Sequence, residues 1–223
     1  MVTHAILTFD CYGTLIDWEA GITGAFAEVA QEHGLSVNPR QILEIHSEVE
    51  RAVQAGPYRP YREVLEEVAR ETARRLNWPL APDRARFLPE SLPGWKPFSD
   101  TNPALERLKA AGYRLGILSN IDDDLLAGTL RRFTVAFDVL VTAEQVRSYK
   151  PAHAHFIRAR ELAGTAGWLH VAQSYFHDIE PACTLGIPVV WVNRKREPPS
   201  GSARPTAEVA TLEGLVEWLG AGD

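Results

Sequence analysis

Short runs of consecutive apolar residues alternate with amphipathic stretches along much of the chain, and the two patterns predict different elements. The run Ala5-Ile6-Leu7-Thr8-Phe9 is nearly continuous, as a strand buried on both faces of a parallel sheet reads. From Pro103 onward the same texture recurs. The spacing predicts a helix over 103–111, a strand over 114–118, a helix over 123–133, a strand over 137–141, a helix over 153–163, a strand over 168–172, a short helix over 180–185 and a strand over 188–192. Regular alternation of strands and helices implies a parallel sheet, because parallel neighbours need a crossover connection.

Between Trp18 and Trp95 the texture changes. Ile42, Ile45, Val49 and Val53, and later Val64, Leu65, Val68 and Leu76, recur at helical spacing among Ala, Glu and Arg, with no strand pattern between them. Gly56-Pro57 and Trp78-Pro79 mark turns, and the chain returns through Pro93-Gly94-Trp95-Lys96-Pro97. The expected organisation is an α/β, Rossmann-like parallel-sheet core made of residues 1–17 and 96–223, interrupted by an inserted helical cap over 18–95. The Gly, Ser and Pro residues over 198–205 read as one surface loop, and no internal repeat appears.

Composition narrows the function classes. With 223 residues, 45% of them hydrophobic, the chain can bury a sizeable core. A net charge of −6 argues against a general nucleic-acid binder, and the one dense basic run, Arg194-Lys195-Arg196, reads as a solvated loop. Cys11 and Cys183 lack metal-ligand spacing and read as buried thiols of a reducing compartment. No apolar stretch approaches the roughly 18 to 20 residues of a membrane span, and the N-terminus has no signal-peptide pattern. The expectation is a cytoplasmic protein with no membrane or nucleic-acid partner.

Polar groups punctuate the ends of the predicted strands: Asp10, Ser119 with Asn120, Lys150, and Asp178. An open α/β sheet binds its ligand at these ends. Singly, each group also reads as a helix cap or a surface side chain. Together they suggest chemistry. A carboxylate is a weak nucleophile in water, but held by backbone N–H groups beside a cation it can attack carbon or phosphorus and form a covalent ester. Gly13 permits the required turn, Thr14 and Ser119 supply hydroxyls, and Lys150 supplies the charge that keeps Asp10 ionised.

The segments FDCYGTLID over 9–17, LSN over 118–120, YKP over 149–151 and HVAQSYFHD over 170–178, in that order, resemble the four motifs of the haloacid dehalogenase superfamily. The resemblance spans nearly the whole chain, including a helical cap after the first motif. It implies that Asp10 attacks and Lys150 orients it. Magnesium-dependent phosphatases of the superfamily carry a second Asp where this chain has Tyr12, and another carboxylate where it has Gln173. The pattern here is similar to the type II, L-2-haloacid branch, which uses no metal or cofactor. In that chemistry Asp10 displaces a leaving group from the 2-carbon of a small carboxylic acid, and water positioned by Asp178 hydrolyses the resulting ester to a 2-hydroxy acid. Catalytic roles then fall to Asp10, Thr14, Ser119, Lys150 and Asp178, and substrate contacts to Cys11, Tyr12, Asn120, Gln173, Tyr175 and Tyr61. A homodimer is compatible with the resemblance.

The chain also departs from that branch. The expected halide-binding arginine of the cap aligns near residues 44–46, with Arg40, Arg51, Arg59 and Arg62 close in sequence, and Phe156 stands where the branch often has Tyr. FDCYGTLIDWE, LSNID, SYKP and SYFHD look closer to a sister group that includes L-azetidine-2-carboxylate hydrolase, whose ring-nitrogen leaving group needs a proton. His46 and His177 are candidate donors, and Trp18 and Tyr58 candidate pocket aromatics. A phosphatase with an impaired magnesium site and a catalytically silent binding relative are the remaining readings.

Overall fold

Each apolar run becomes a strand of one parallel sheet. The computed structural model describes residues 5–221. In chain order its elements are β1 (Ile6–Phe9), α1 (Trp18–Glu32), α2 (Pro39–Gln54), α3 (Tyr61–Arg75), α4 (Phe87–Ser91), α5 (Thr101–Ala110), β2 (Arg114–Ser119), α6 (Asp123–Leu130), β3 (Val139–Thr142), α7 (Ala143–Val146), α8 (Ala154–Ala163), β4 (Trp168–Ala172), α9 (Glu180–Thr184), β5 (Val189–Val192), β6 (Ala207–Val209) and α10 (Leu212–Trp218). The strand order is β3-β2-β1-β4-β5-β6, with every pairing parallel. This is the doubly wound, Rossmann-like order, and its direction reverses between β1 and β4, where such sheets bind ligands beyond their carboxyl ends. Apart from Tyr61, which opens α3, the residues expected at the site end or follow β1, β2 and β4, or lie just before α8.

The elements between β1 and β2 are helical. Asn38 caps α2 by accepting from the Arg40 amide, Pro39 opens the helix, and Ile42, Ile45 and Val49 form its buried stripe. Two crossings join this region to the sheet and lie side by side: the Asp17 amide donates to the Lys96 carbonyl at 2.9 Å, and the Phe98 amide to the Leu15 carbonyl at 3.1 Å. Arg194 fastens them. Its guanidinium forks onto Asp100 at 2.9 and 3.1 Å, donates to the Thr14 carbonyl at 2.9 Å and stacks over Phe98. The reading of the basic run as a solvated loop therefore fails for Arg194, because a planar guanidinium with three acceptors and a ring face need not reach water.

Other boundaries and elements also differ from expectation. β3 begins at Val139 rather than at residue 137, because Phe137 packs edge-on against Phe133 and the Asp138 carboxylate caps the start of the ladder, accepting from the Leu115 amide at 2.9 Å. α6 stops at Leu130, where the Arg132 and Phe133 amides turn back to Thr129 and Leu130. The edge strand β6 and helix α10 were not among the expected elements; β6 is three residues long and only half-buried, whereas α10 carries Leu212, Leu215 and Val216 at helical spacing on its buried face.

α3 shows how the inserted helices engage the sheet. Pro60 at its start offers no side-chain cap. Asp122, just beyond β2, reaches across instead: its carboxylate accepts from the Tyr61 amide at 2.7 Å and the Arg62 amide at 2.8 Å. Arg62 also pairs with Asp124, and the Tyr149 hydroxyl donates to the Arg59 carbonyl at 2.6 Å. Asp122→Ala should remove a cap worth about 0.5–2 kcal/mol. The expected result is a fall in Tm of roughly 1–8 °C with a larger rise in KM than loss in kcat, measured by calorimetry and steady-state kinetics, since Tyr61 lines the cavity over the sheet.

Candidate active site

Asp10 directly follows β1, and its backbone amide still pairs with Val171 of β4 at 3.0 Å, which fixes where the carboxylate emerges. The chain then turns sharply. Gly13 has φ 102°, a conformation that favours glycine, and a Cβ there would lie 3.0 Å from the Gln173 Oε1 atom and 3.2 Å from the Trp18 indole nitrogen, so the space beside it is also tight. The turn brings Thr14 back under Asp10: its hydroxyl donates to Asp10 Oδ2 at 2.9 Å and accepts from the Gln173 amide at 2.9 Å.

Lys150 is buried beneath the carboxylates with its three N–H donors all used. Nζ donates to Asp10 Oδ1 at 2.9 Å, to Asp178 Oδ1 at 2.6 Å and to the Leu118 carbonyl at 2.9 Å. Asn120 holds the lysine's backbone, its Oδ1 accepting from the Lys150 amide at 2.7 Å and its Nδ2 donating to the Lys150 carbonyl at 3.1 Å. Asn120, a candidate substrate contact, thus holds Lys150 and also lines the cavity.

Burial pushes the Asp10 carboxyl above its ordinary value, a push that Lys150 only partly offsets. Burial also acts to raise Asp178, but Lys150 and His170 outweigh it and hold that carboxyl down to about 2. For Lys150, the two carboxylates overcome the opposing effect of burial and raise its pKa. The centre is thus an ammonium between two carboxylates. One oxygen of the second, Asp178 Oδ2, is buried without a hydrogen-bond partner.

Above these groups lies a cavity of about 530 Å³. From the sheet side it is lined by Asp10, Tyr12, Ser119, Asn120, Lys150, Gln173 and Asp178, and from the inserted helices by Trp18, His46, Glu50, Arg51 and Tyr61, among others. Tyr12 presents its ring to the cavity but ties its hydroxyl to Thr129 Oγ1 at 2.8 Å and packs edge-on against Trp95. Burial raises its pKa well above the ordinary value, so it stays protonated. Cys11 is fully buried and its side chain does not line the cavity. Tyr175 was expected at the site and is not brought there. It begins a wide helical turn, Tyr175–Ile179, that directs its ring onto Trp191 and its hydroxyl onto the Ala203 carbonyl at 2.7 Å.

Among the four candidate arginines, Arg51 lines the cavity. Arg40 pairs with Glu44, Arg59 with Glu63 and Arg62 with Asp124. The roof contains His46, a candidate donor from the sequence, and Glu50, which the sequence did not single out. Glu50, one helical turn beyond His46, accepts from the Tyr61 hydroxyl at 2.6 Å. His46 is buried against Trp18, and neither of its ring nitrogens has a hydrogen-bond partner. Burial lowers the His46 pKa and keeps it neutral.

The donor set does not suit magnesium, which favours several carboxylate oxygens. Two carboxylates converge, both already on the lysine ammonium, while Tyr12 is tethered away and Gln173 is neutral. Among the described residues, no group of three or more His, Cys, Asp or Glu is arranged to hold a metal ion. Among the same residues, no helix is long and apolar enough to cross a membrane.

A doubly wound sheet with a carboxylate, lysine and carboxylate beside its switch point, roofed by helices inserted after the first strand, defines an enzyme site of the hydrolase kind. Residues 4–174 match the haloacid dehalogenase-like hydrolases, and the chain belongs to that family. It is 30% identical over 218 residues to an (S)-2-haloacid dehalogenase of Pseudomonas fluorescens, covering 95% of this chain and 94% of that one. Its fold matches L-2-haloacid dehalogenase from Xanthobacter autotrophicus with chloropropionic acid covalently bound, at a TM-score of 0.80 and 21% identity, over 97% of this chain and 98% of that one. It also matches the HAD-hydrolase YfnB from Bacillus subtilis bound to magnesium, with a TM-score of 0.84 and 18% identity over 97% of this chain and 99% of that one.

Proposed function

We propose that the protein is a metal-independent hydrolase of the 2-haloacid dehalogenase kind, acting on the 2-carbon of a small carboxylic acid through an ester to Asp10. The observation that carries this reading is the Lys150 ammonium between Asp10 and Asp178, with Tyr12 turned away to Thr129. A nucleophile, its cation and a second carboxylate are in place, while the position that would protonate a phosphate ester's leaving group carries a tethered phenol. Halide needs no such proton.

In the first step an Asp10 carboxylate oxygen attacks the 2-carbon, and the halide departs with the electron pair of the broken bond. Backbone N–H groups of Cys11 and Tyr12, with the Ser119 hydroxyl, take the substrate carboxylate. In the second step water attacks the Asp10 carbonyl carbon and gives a proton to Asp178 Oδ2. Collapse of the tetrahedral intermediate returns that proton to the departing 2-hydroxy acid and frees Asp10, whose own proton is lost to solvent. A carboxyl held down to about 2 is a weak base, so Asp178 contributes more by orienting the water than by base strength. The proposed division into a core, 1–17 and 96–223, and a cap, 18–95, gives the helices the role of excluding other water; residues 1–4, 222 and 223 lie outside the described chain.

A second reading is favoured by the roof. His46 and Glu50 offer a neutral imidazole and a carboxylate where an arginine would suit a halide, and these groups suit a protonatable ring nitrogen on a cyclic 2-amino acid. The test is turnover of L-2-chloropropionate and L-azetidine-2-carboxylate with chelator present. Chloride release that falls at least roughly 10-fold in Arg51→Ala supports the haloacid reading. Turnover of the cyclic amino acid alone, lost in Glu50→Gln, transfers the assignment to the C–N hydrolase. Hydrolysis of a phosphate monoester only on adding magnesium would overturn both.

A further inference from the structure

Trp168, Thr8 and His170 form a buried chain of hydrogen bonds that ends on Asp178, and none of the three lines the cavity. β1 and β4 set it up. Thr8 and His170 are register partners, and Trp168 lies two residues before His170, so all three side chains share one face of the sheet. The Trp168 indole N–H donates to Thr8 Oγ1 at 2.7 Å, Thr8 Oγ1 meets His170 Nδ1 at 2.9 Å, and His170 Nε2 meets Asp178 Oδ1 at 3.0 Å. Thr8 and His170 are essentially inaccessible to solvent, and Phe156 closes over the imidazole edge-on at 5.3 Å.

The direction of each hydrogen bond follows from what the groups can do. Indole nitrogen is only a donor, so the Thr8 oxygen must accept from it. The Thr8 hydroxyl hydrogen is then free for His170 Nδ1, which accepts. With Nδ1 accepting, a neutral imidazole carries its proton on Nε2, which donates to Asp178. Every polar side-chain atom of Trp168, Thr8 and His170 is satisfied by this one assignment, and the opposite tautomer would turn a lone pair toward a carboxylate oxygen.

We infer that Trp168 and Thr8 select the Nε2–H tautomer of His170, and that His170 is a positioning residue that holds Asp178 for the ester-hydrolysis step. This rests on the aspartyl-ester reading above. Lys150 and His170 together occupy Asp178 Oδ1 and fix the carboxylate plane. Oδ2, the oxygen without a protein partner, is thereby aimed at one place, where water must be held to attack the Asp10 ester. Lys150 also serves Asp10 and so affects both steps. His170 touches Asp178 and not Asp10, so its removal should separate the two.

The experiment follows single turnover of L-2-chloropropionate by rapid quench, reading chloride release for the first step and the intact mass of the protein for the ester. In His170→Leu and Thr8→Val, chloride release in the first turnover should change less than about 3-fold, while loss of the ester slows by roughly 100-fold, so the mass adduct accumulates. His170→Gln, which can place an amide N–H near the Nε2 position, and Thr8→Ser should restore hydrolysis to within about 10-fold of the parent. Equal slowing of both steps, or no accumulation in a folded His170→Leu or Thr8→Val protein, would overturn the inference. An adduct that never forms in the parent protein, with or without turnover, would instead count against the ester mechanism itself. The Ser and Gln variants keep the polar chain and are expected to fold, so a failure of the larger changes to fold leaves the rescue comparison standing.

Discussion

Asp10→Asn should abolish turnover, by at least roughly 10⁴-fold, in a protein that still folds. The side-chain carbonyl can face Lys150 and accept its N–H as Asp10 Oδ1 does, while the amide faces Thr14 Oγ1. The Lys150 ammonium keeps Asp178, so no buried charge is left without a partner. Calorimetry is therefore expected to show a Tm within about 5 °C of the parent. The pH profile of the parent supplies the complementary measurement. The proposed attack requires ionised Asp10, and burial raises the pKa of that carboxyl, so kcat/KM should fall as pH drops through a value above the ordinary 3.8. Asp178, held down to about 2, stays ionised throughout that fall. An acid limb below the ordinary carboxylate range would contradict the assignment of Asp10 as the buried nucleophile, as would full activity in Asp10→Asn.

The position of Asp10, the proposed nucleophile, was readable from sequence because an Asp directly after a continuous apolar run falls at a strand's carboxyl end, whereas Lys150 lies beyond α7 and Asp178 within the wide turn after β4. β1 to β5 followed from the same runs, since a strand covered on both faces carries its burial in consecutive residues. What the sequence hid was long-range. Nothing near Pro60 shows that α3 takes its cap from Asp122, and nothing near Arg194 shows that Asp100 and Thr14 receive it. Tyr175 was misplaced for a local reason: the wide turn after β4 rotates it off the cavity while leaving Phe176, His177 and Asp178 along it. His46 and Glu50 were spaced as a helical face, but which face looked down on Asp10 depended on packing of α2 against α1 and α3. Thr8 and Trp168 looked like ordinary strand residues, and only register makes them neighbours of His170.

Lys150→Met should have the largest effect on stability as well as removing activity. Methionine fits the length of the lysine stem, so the lost group is the charge and its three hydrogen bonds. Two buried carboxylates then face each other across an apolar side chain, a situation that costs about 3–5 kcal/mol when one partner of a buried pair is removed. That corresponds to a fall in Tm of roughly 6–20 °C for a domain of this size. The sign of Asp178's contribution to the pH dependence should change as well. In the parent, Asp178 has its pKa depressed from 3.8 to about 2, so its contribution to stability is present above 3.8 and is lost as pH falls toward 2. Without Lys150, burial and mutual repulsion raise Asp10 and Asp178 together, so protonation is favoured in the folded state and the variant should gain stability relative to the parent as pH falls from neutrality. Asp178→Asn in the same chain removes the repulsion, and the double variant should be more stable than Lys150→Met alone. If the two changes were instead additive, the ammonium would not be holding the carboxylates apart, because a shared charge requires coupling between them.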